Sequence, residues 1–179
     1  MADNTNAVLG TAILGSMILG RSGTGLYLVF DRKQADKDRI VYLGSLGWEN
    51  MTDAEKEEFL NPGKGAYNYT DWNRVGLAVL QIASNLKSAG NSVSVAAKTN
   101  WTMDDIPSTD QMEKYLSNIR AIRNALAVYN STPSVPSQMR KLTISKANDI
   151  ERILFDVDTL TNNMNKSYVY SGEIYGGEL

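Results

Sequence analysis

Apolar residues recur at helical spacing in three long stretches of this chain. The first follows Gly65–Leu86, GAYNYTDWNRVGLAVLQIASNL. Its stripe is Trp72, Val75, Val79, Ile82 and Leu86, at steps of 3, 4, 3 and 4. That period buries one face of a helix against others. A start signal at Thr70-Asp71 and a stop at Gly90-Asn91 predict a helix from about Asp71 to Ala89. Gly76 inside it costs about 1 kcal/mol relative to alanine, which a close neighbouring contact would offset. The second stripe is Met112, Tyr115/Leu116, Ile119, Ile122, Leu126 and Tyr129, on a helix capped by Ser108 with Gln111 completing the box. Asn130–Ser137, with Pro133 and Pro136, breaks it. The third stripe is Ala147, Ile150, Leu154, Val157, Leu160/Thr161 and Met164, from about Thr143 to Asn165. Each stripe needs the others, and the economical packing is an up-down-up, antiparallel three-helix bundle. The connections exceed the ~2–8 residues of a minimal bundle. They are therefore expected to carry turns and short strands, one at Ser92–Ala97.

The flanks follow other periods. Residues 7–20 repeat Leu-Gly at Leu9-Gly10, Leu14-Gly15 and Leu19-Gly20, a five-residue step that fits neither helix nor strand. Residues 1–24 are either a floppy leader or, as we expect, an assembly arm. Such an arm orders against a partner and buries Val8, Leu9, Ile13, Leu14, Ile18 and Leu19 there. Within 25–47, Gly25–Phe30 and Arg39–Leu43 are rich in branched and aromatic residues. With the charged stretch Asp31–Asp38 between them, they predict a small N-terminal β-hairpin with a solvated loop. That stretch lacks the central Gly and closing Glu of a calcium loop. Thr52 and Glu55 open a short helix that Asn61-Pro62-Gly63 ends. The helical domain spans 48–167. Residues 168–179 are expected to leave it as an extended tail that docks through Tyr168, Tyr170 and Tyr175. The fold expected is mainly α, with extended N- and C-terminal arms.

Composition removes much chemistry. The 179 residues fit one domain with arms and contain neither cysteine nor histidine. Disulfides, thiolate zinc, imidazole ligands and the Ser-His-Asp triad go together. A net charge of −2 and a pI near 5.2 give no electrostatic reason to expect nucleic acid. The longest apolar run, Ala7–Gly20, is 14 residues with polar Thr11 and Ser16, short of the ~20 that span a membrane. Asp3 and the absence of an early Lys or Arg do not fit a secretory signal, so synthesis and retention in a cytoplasm are expected. No cofactor or metal is expected.

The remaining candidates for catalysis have ordinary explanations. Asp104-Asp105 precede Pro107 and a helix start, where acidic residues are favoured. Asp156 and Asp158 are two apart and do not share a helix face, while Asp149 and Arg152 are spaced to pair on the surface. GRSGTG at Gly20–Gly25 lacks the ending of a phosphate loop. Trp48, Trp72 and Trp101 would suit a sugar platform but are better read as core at the end of the bundle. Arg74 lies one turn from Asp71, placed to tie the preceding loop. These readings argue against an enzyme.

Several phrases together carry a resemblance. They are AVLGTAILGSMILG, GAYNYTDWNRV, Trp101 with DIPSTDQMEKYLSNI, SVPSQMRKLTISKANDIERIL and the terminal YVYSGEIYGGE. The chain resembles tail and baseplate-region structural proteins of phages, and of phage-like particles, of Gram-positive bacteria. The match covers mainly Trp48 onward. It is most specific at Thr70, Asp71, Trp72, Asn73 and Arg74 and at Leu142–Glu151. The resemblance implies a virion structural protein of a tail, baseplate or fibre-attachment assembly, made in the host bacterial cytoplasm. Its partners would be other tail proteins and copies of itself, without nucleic acid or membrane, and it supplies no catalytic residues. Two alternatives remain: a host cell-wall carbohydrate-binding module of the tail tip, and a carboxylate-based glycan hydrolase.

Overall fold

The structure, a computed structural model, describes residues 20–21 and 25–175, with side chains resolved for 25–167. It is mainly helical. Strand β1 (Gly20–Arg21) pairs antiparallel with β2 (Tyr27–Leu28), Gly20 opposite Leu28 and Arg21 opposite Tyr27. Helices α1 (Gln34–Leu46), α2 (Asp53–Leu60), α3 (Tyr69–Ser88), α4 (Thr109–Asn124) and α5 (Ile144–Tyr175) follow, with a 3-10 turn at Trp48–Asn50.

The expected hairpin within 25–47 is corrected, because Arg39–Leu43 is part of α1. The charged stretch is the helix start: Asp36 accepts the Lys33 N–H at 2.7 Å, and Gln34, Ala35 and Lys37 favour helix. The short strand Tyr27–Leu28 pairs instead with Gly20–Arg21. Helix α1 rests on the loop before α3. At Gly65 a Cβ would lie 2.3 Å from Ile40 and 2.5 Å from the Asp36 carbonyl, so only glycine admits this approach.

The three apolar stripes meet in one core. Val75, Ile82, Leu86, Ile119, Ile122, Ile150, Ile153, Leu154 and Val157 are fully buried, with Trp72, Val79 and Leu116 beside them. Leu126 is only partly buried, because α4 ends at Asn124 rather than near Tyr129. There the Arg123 guanidinium donates to the carbonyls of Pro133 and Thr132 and turns the chain back.

The side-chain pairings set the helix directions. Near the start of both α3 and α5, Arg74 reaches Glu151; further along both, Asn85 reaches Asp158 at 3.4 Å. Tyr115, in the first half of α4, meets Trp72 and Tyr67; at its end, Arg123 holds Thr132, which donates to Asp156 of α5. The three long helices therefore run in the same sense, and the expected antiparallel order is corrected. The long connections are the reason. Residues 89–108 and 125–143 return along the helices, since extended chain covers about 3.3 Å per residue against 1.5 Å in a helix. On the first return, Val93, Val95 and Ala97 turn to the core. This stretch is extended and, among the described residues, has no strand partner. It crosses α3 at Gly76, where a Cβ would meet the Lys98 carbonyl at 2.8 Å.

Helix α5 continues to Tyr175, so the extended tail expected from residue 168 is helical in backbone as far as Tyr175. Propagating an existing helix costs little, and no proline stops it. The side chains of Tyr168, Tyr170 and Tyr175 lie outside the described set. So do the arm residues Leu9, Ile13, Leu14, Ile18 and Leu19.

Candidate functional site: a buried charge network at the helix starts

The starts of α3 and α5 bring the two most distinctive sequence phrases together. Asn68, not Thr70 or Asp71, caps α3. Its Oδ1 accepts the Thr70 N–H at 2.9 Å, and Asp71 completes the box by accepting the Asn68 N–H at 2.9 Å. Asp71 therefore points inward and is 1% exposed, beside Glu151 of α5 at 0%.

Two guanidiniums meet these two carboxylates. Arg32 Nη2 lies 2.7 Å from both Asp71 Oδ1 and Glu151 Oε1. Arg74 donates through Nη2 to Asp71, and to Glu151 at 2.7 Å (Nη2) and 3.0 Å (Nε). Glu151 Oε2 also accepts the Val29 N–H at 2.7 Å. Every carboxylate oxygen of the pair is thus occupied, and charge is balanced, with Arg74 alone partly exposed. Arg32 Nη1 donates to the Val29 carbonyl, while Arg32 Nε is buried without a hydrogen-bond partner. Burial works against the charged form of both arginines. Glu151 and Asp71 outweigh it and leave both pKa values raised.

Tyrosines wall the network. The Tyr67 and Tyr115 hydroxyls hydrogen-bond each other, and the Arg32 guanidinium lies 5.3 Å from the Tyr67 ring. Burial pushes both phenols well above their ordinary range; nearby Glu151 and Asp71 push the same way. Trp72 packs between the tilted rings of Tyr115 at 4.4 Å and Trp101 at 5.2 Å.

Three asparagines repeat one device, the side-chain amide closing on a single backbone unit of an extended segment. Asn73 accepts the Trp101 N–H at 2.7 Å and donates to its carbonyl at 2.9 Å. Asn118 brackets Ala96 (3.2 and 2.9 Å), and Asn148 brackets Arg32 (3.1 and 3.0 Å). Each satisfies backbone groups that have no strand partner among the described residues.

Of the helix-start residues, Asp71, Trp72, Asn73 and Arg74 all join this centre, while Thr70 stays exposed. Arg74 ties α3 to α5 rather than to the preceding loop. Trp48 is 46% exposed, against the core placement expected of it, whereas Trp72 and Trp101 are buried. Arg152 pairs with Asp156 at 2.9 Å instead of Asp149. Asp105 accepts the Thr102 N–H and binds Lys98, contacts that hold its carboxyl below the usual range. Sequence reasoning missed Arg32 and Asn118, and within the Leu142–Glu151 phrase it gave Asn148 and Glu151 no role of their own. Glu151 carried a signal: it lies 4 residues after Ala147 and 3 before Leu154, on the apolar stripe itself.

Among the described residues no group of His, Cys, Asp and Glu is placed to hold a metal, and no helix is long and apolar enough to cross a membrane. Comparison with known protein families, curated proteins and solved structures returns no match.

Proposed function

We propose that this chain is a structural subunit of a phage tail, baseplate or fibre-attachment assembly, working through protein–protein contacts in the virion. One observation carries the reading: the phrases Thr70–Arg74 and Leu142–Glu151, which bear the resemblance, supply side chains spent on locking the fold. Asp71, Arg74 and Glu151 saturate one another, and Asn73 and Asn148 clamp backbone. A centre whose carboxylates are sealed and fully bonded holds a shape; it offers no acid, base or nucleophile to a substrate.

What faces outward suits association. Leu77, Leu80, Met103 and Ile106 are 56%, 40%, 62% and 90% exposed, and Val41 and Tyr42 on α1 are 60% and 51%. Large apolar side chains in water favour burial against a partner. The leader residues Leu9, Ile13, Leu14, Ile18 and Leu19 and the tail residues Tyr168, Tyr170 and Tyr175 are proposed as assembly arms onto neighbouring copies or other tail proteins. Sedimentation and negative-stain microscopy of the full chain at micromolar concentration test the reading. Rings or fibres are expected. A monomer at every concentration, alone and with the products of neighbouring genes, would exclude it.

A further inference from the structure

A cleft opens on the far side of the stacked tryptophans, where the first return segment passes α4. It begins as a cavity of about 230 Å³ floored by Trp72, Trp101 and Tyr115, with Asp110, Gln111 and Lys114 at its rim. A shallower groove of about 710 Å³ shares Ala96, Asp110, Lys114 and Asn118 with it and continues along α4. Its walls carry Ser94, Ser117 and Ser137, with Glu113 and Arg120 beside them. The two adjoin at these shared residues, where the Asn118 side chain brackets Ala96, and mark a path from an aromatic end to a hydroxyl-lined trough.

We propose that this path binds a neutral, hydroxyl-rich glycan chain, with one terminal sugar ring in the aromatic cavity and the following rings along α4. The inference does not rest on the assembly role.

Three features select that ligand. The first is the floor. Trp72, Trp101 and Tyr115 are only 7–8% exposed and are held by tilted ring-to-ring contacts and by the Asn73 bracket on Trp101. The Trp101 indole N–H is fixed on the Lys98 carbonyl at 3.1 Å. The apolar end is therefore built before a ligand arrives, and the size suits one ring rather than a side-chain cluster. The second is the rim. The side chains of Asp110, Lys114, Glu113 and Arg120 take part in no hydrogen bond or ion pair within the described residues, and the Gln111 Nε2 donors are free while its Oε1 accepts the Ser108 N–H. These groups offer donors and acceptors to hydroxyls at fixed points on one helix face. The third is charge. Asp110 and Glu113 balance Lys114 and Arg120 along the path, and Lys98, which also lines the cavity and lies 4.1 Å from the Trp101 ring centroid, is neutralised by Asp105 at 3.0 Å. A phosphate-bearing polymer would meet as much repulsion as attraction, whereas a neutral polyol finds partners of both signs.

The test uses the full chain with chito-, malto- and galacto-oligosaccharides as probes, and inorganic polyphosphate as the anionic arm. Calorimetry measures affinity, and amide shifts in NMR spectra locate it. At least one neutral oligomer should bind saturably and shift Ala96, Lys114, Ser117 and the Trp101 indole. Asp110→Asn should weaken binding about tenfold, as expected for loss of a hydrogen bond to a charged group. Ser117→Trp, at an exposed position, should block the trough and abolish binding, while Lys87→Ser, exposed on α3 and lining neither cavity, should leave it unchanged. Circular dichroism checks each fold, and Asp110→Asn keeps the test decisive if the tryptophan variant misfolds. Failure of every neutral oligomer to bind at about 10 mM, binding that Asp110→Asn leaves intact, or preference for polyphosphate would each overturn the proposal.

Discussion

Replacing Glu151 by Gln changes one atom in the most enclosed part of the molecule. The wild-type side chain is 0% exposed and receives four hydrogen bonds: Arg32 Nη2, Arg74 Nη2, Arg74 Nε and the Val29 N–H. Gln keeps the shape and one acceptor. Its NH2 group then faces guanidinium donors, and the buried Arg32 and half-buried Arg74 are left with only Asp71. Removing one partner of a buried pair costs about 3–5 kcal/mol, mostly the penalty on the charge left behind. Domain stability is about 5–15 kcal/mol, so the variant should lose roughly a fifth or more of it. With a urea slope of about 2 kcal/mol/M, the unfolding midpoint should fall by about 2 M. The loss should also be local. The Val29 amide, which donates to Glu151, should exchange with solvent far faster in the variant, while the Ile82 and Ile119 amides change only with global stability. Adding Arg74→Met should recover part of the loss, because charge balance returns, giving a coupling of about 0.5–3 kcal/mol. A Glu151→Gln midpoint within about 0.5 M of the parent would refute the network as the lock of the fold.

Gly76→Ala should destabilise despite a helix-propensity gain of about 1 kcal/mol, since the new Cβ would sit 2.8 Å from the Lys98 carbonyl. A raised melting temperature would show that the return segment yields. Asn68→Ala should cost about 1 kcal/mol and Thr70→Ala less, reversing the order expected if Thr70 were the cap. Chemical denaturation of both variants decides it. The phenols of partly buried Tyr67 and buried Tyr115 have raised pKa values, first from desolvation of the hydroxyls. A group raised on folding contributes stability below its unfolded pKa, about 10 for tyrosine, and that stability is lost as pH rises further. Phenolate absorbance should therefore lag for these two until the chain unfolds above about pH 10. A single titration of all tyrosines with the fold intact would contradict their burial.

The stripes of α3, α4 and α5 were legible because repeated apolar steps of 3 and 4 fix a buried face whatever the partner. Capping at Thr52 and Ser108 was legible for a similar reason: the box is local chemistry. Helix direction was not. A stripe reads the same with the chain running either way, and only the connections distinguish the two. Their length was visible, yet it was read as extra turns rather than as return segments. Helix α1 was missed because Ile40, Val41, Tyr42 and Leu43 look like a strand, while only Leu43 is buried and local capping decides the structure. The charge network was half visible. Asp71 and Arg74 stood out by spacing, but Arg32 lies in a run of charges where solvation is the ordinary fate. Glu151 became recognisable only as an acid on an apolar stripe. The asparagine brackets left no periodic trace, since each joins one side chain to a distant backbone unit.

The assembly role is tested most directly by removing the leader. Sedimentation and circular dichroism would compare the full chain with one lacking residues 2–19, which keeps Gly20 and Arg21 for pairing with Tyr27–Leu28. Leucines at a five-residue step give a helical core no continuous face to cover, and the core is already closed by three stripes. The truncated chain should therefore keep its helical signal and melting temperature, yet stay monomeric where the full chain forms rings or fibres. Loss of the fold on truncation, or assembly that proceeds unchanged without the leader, would contradict the account.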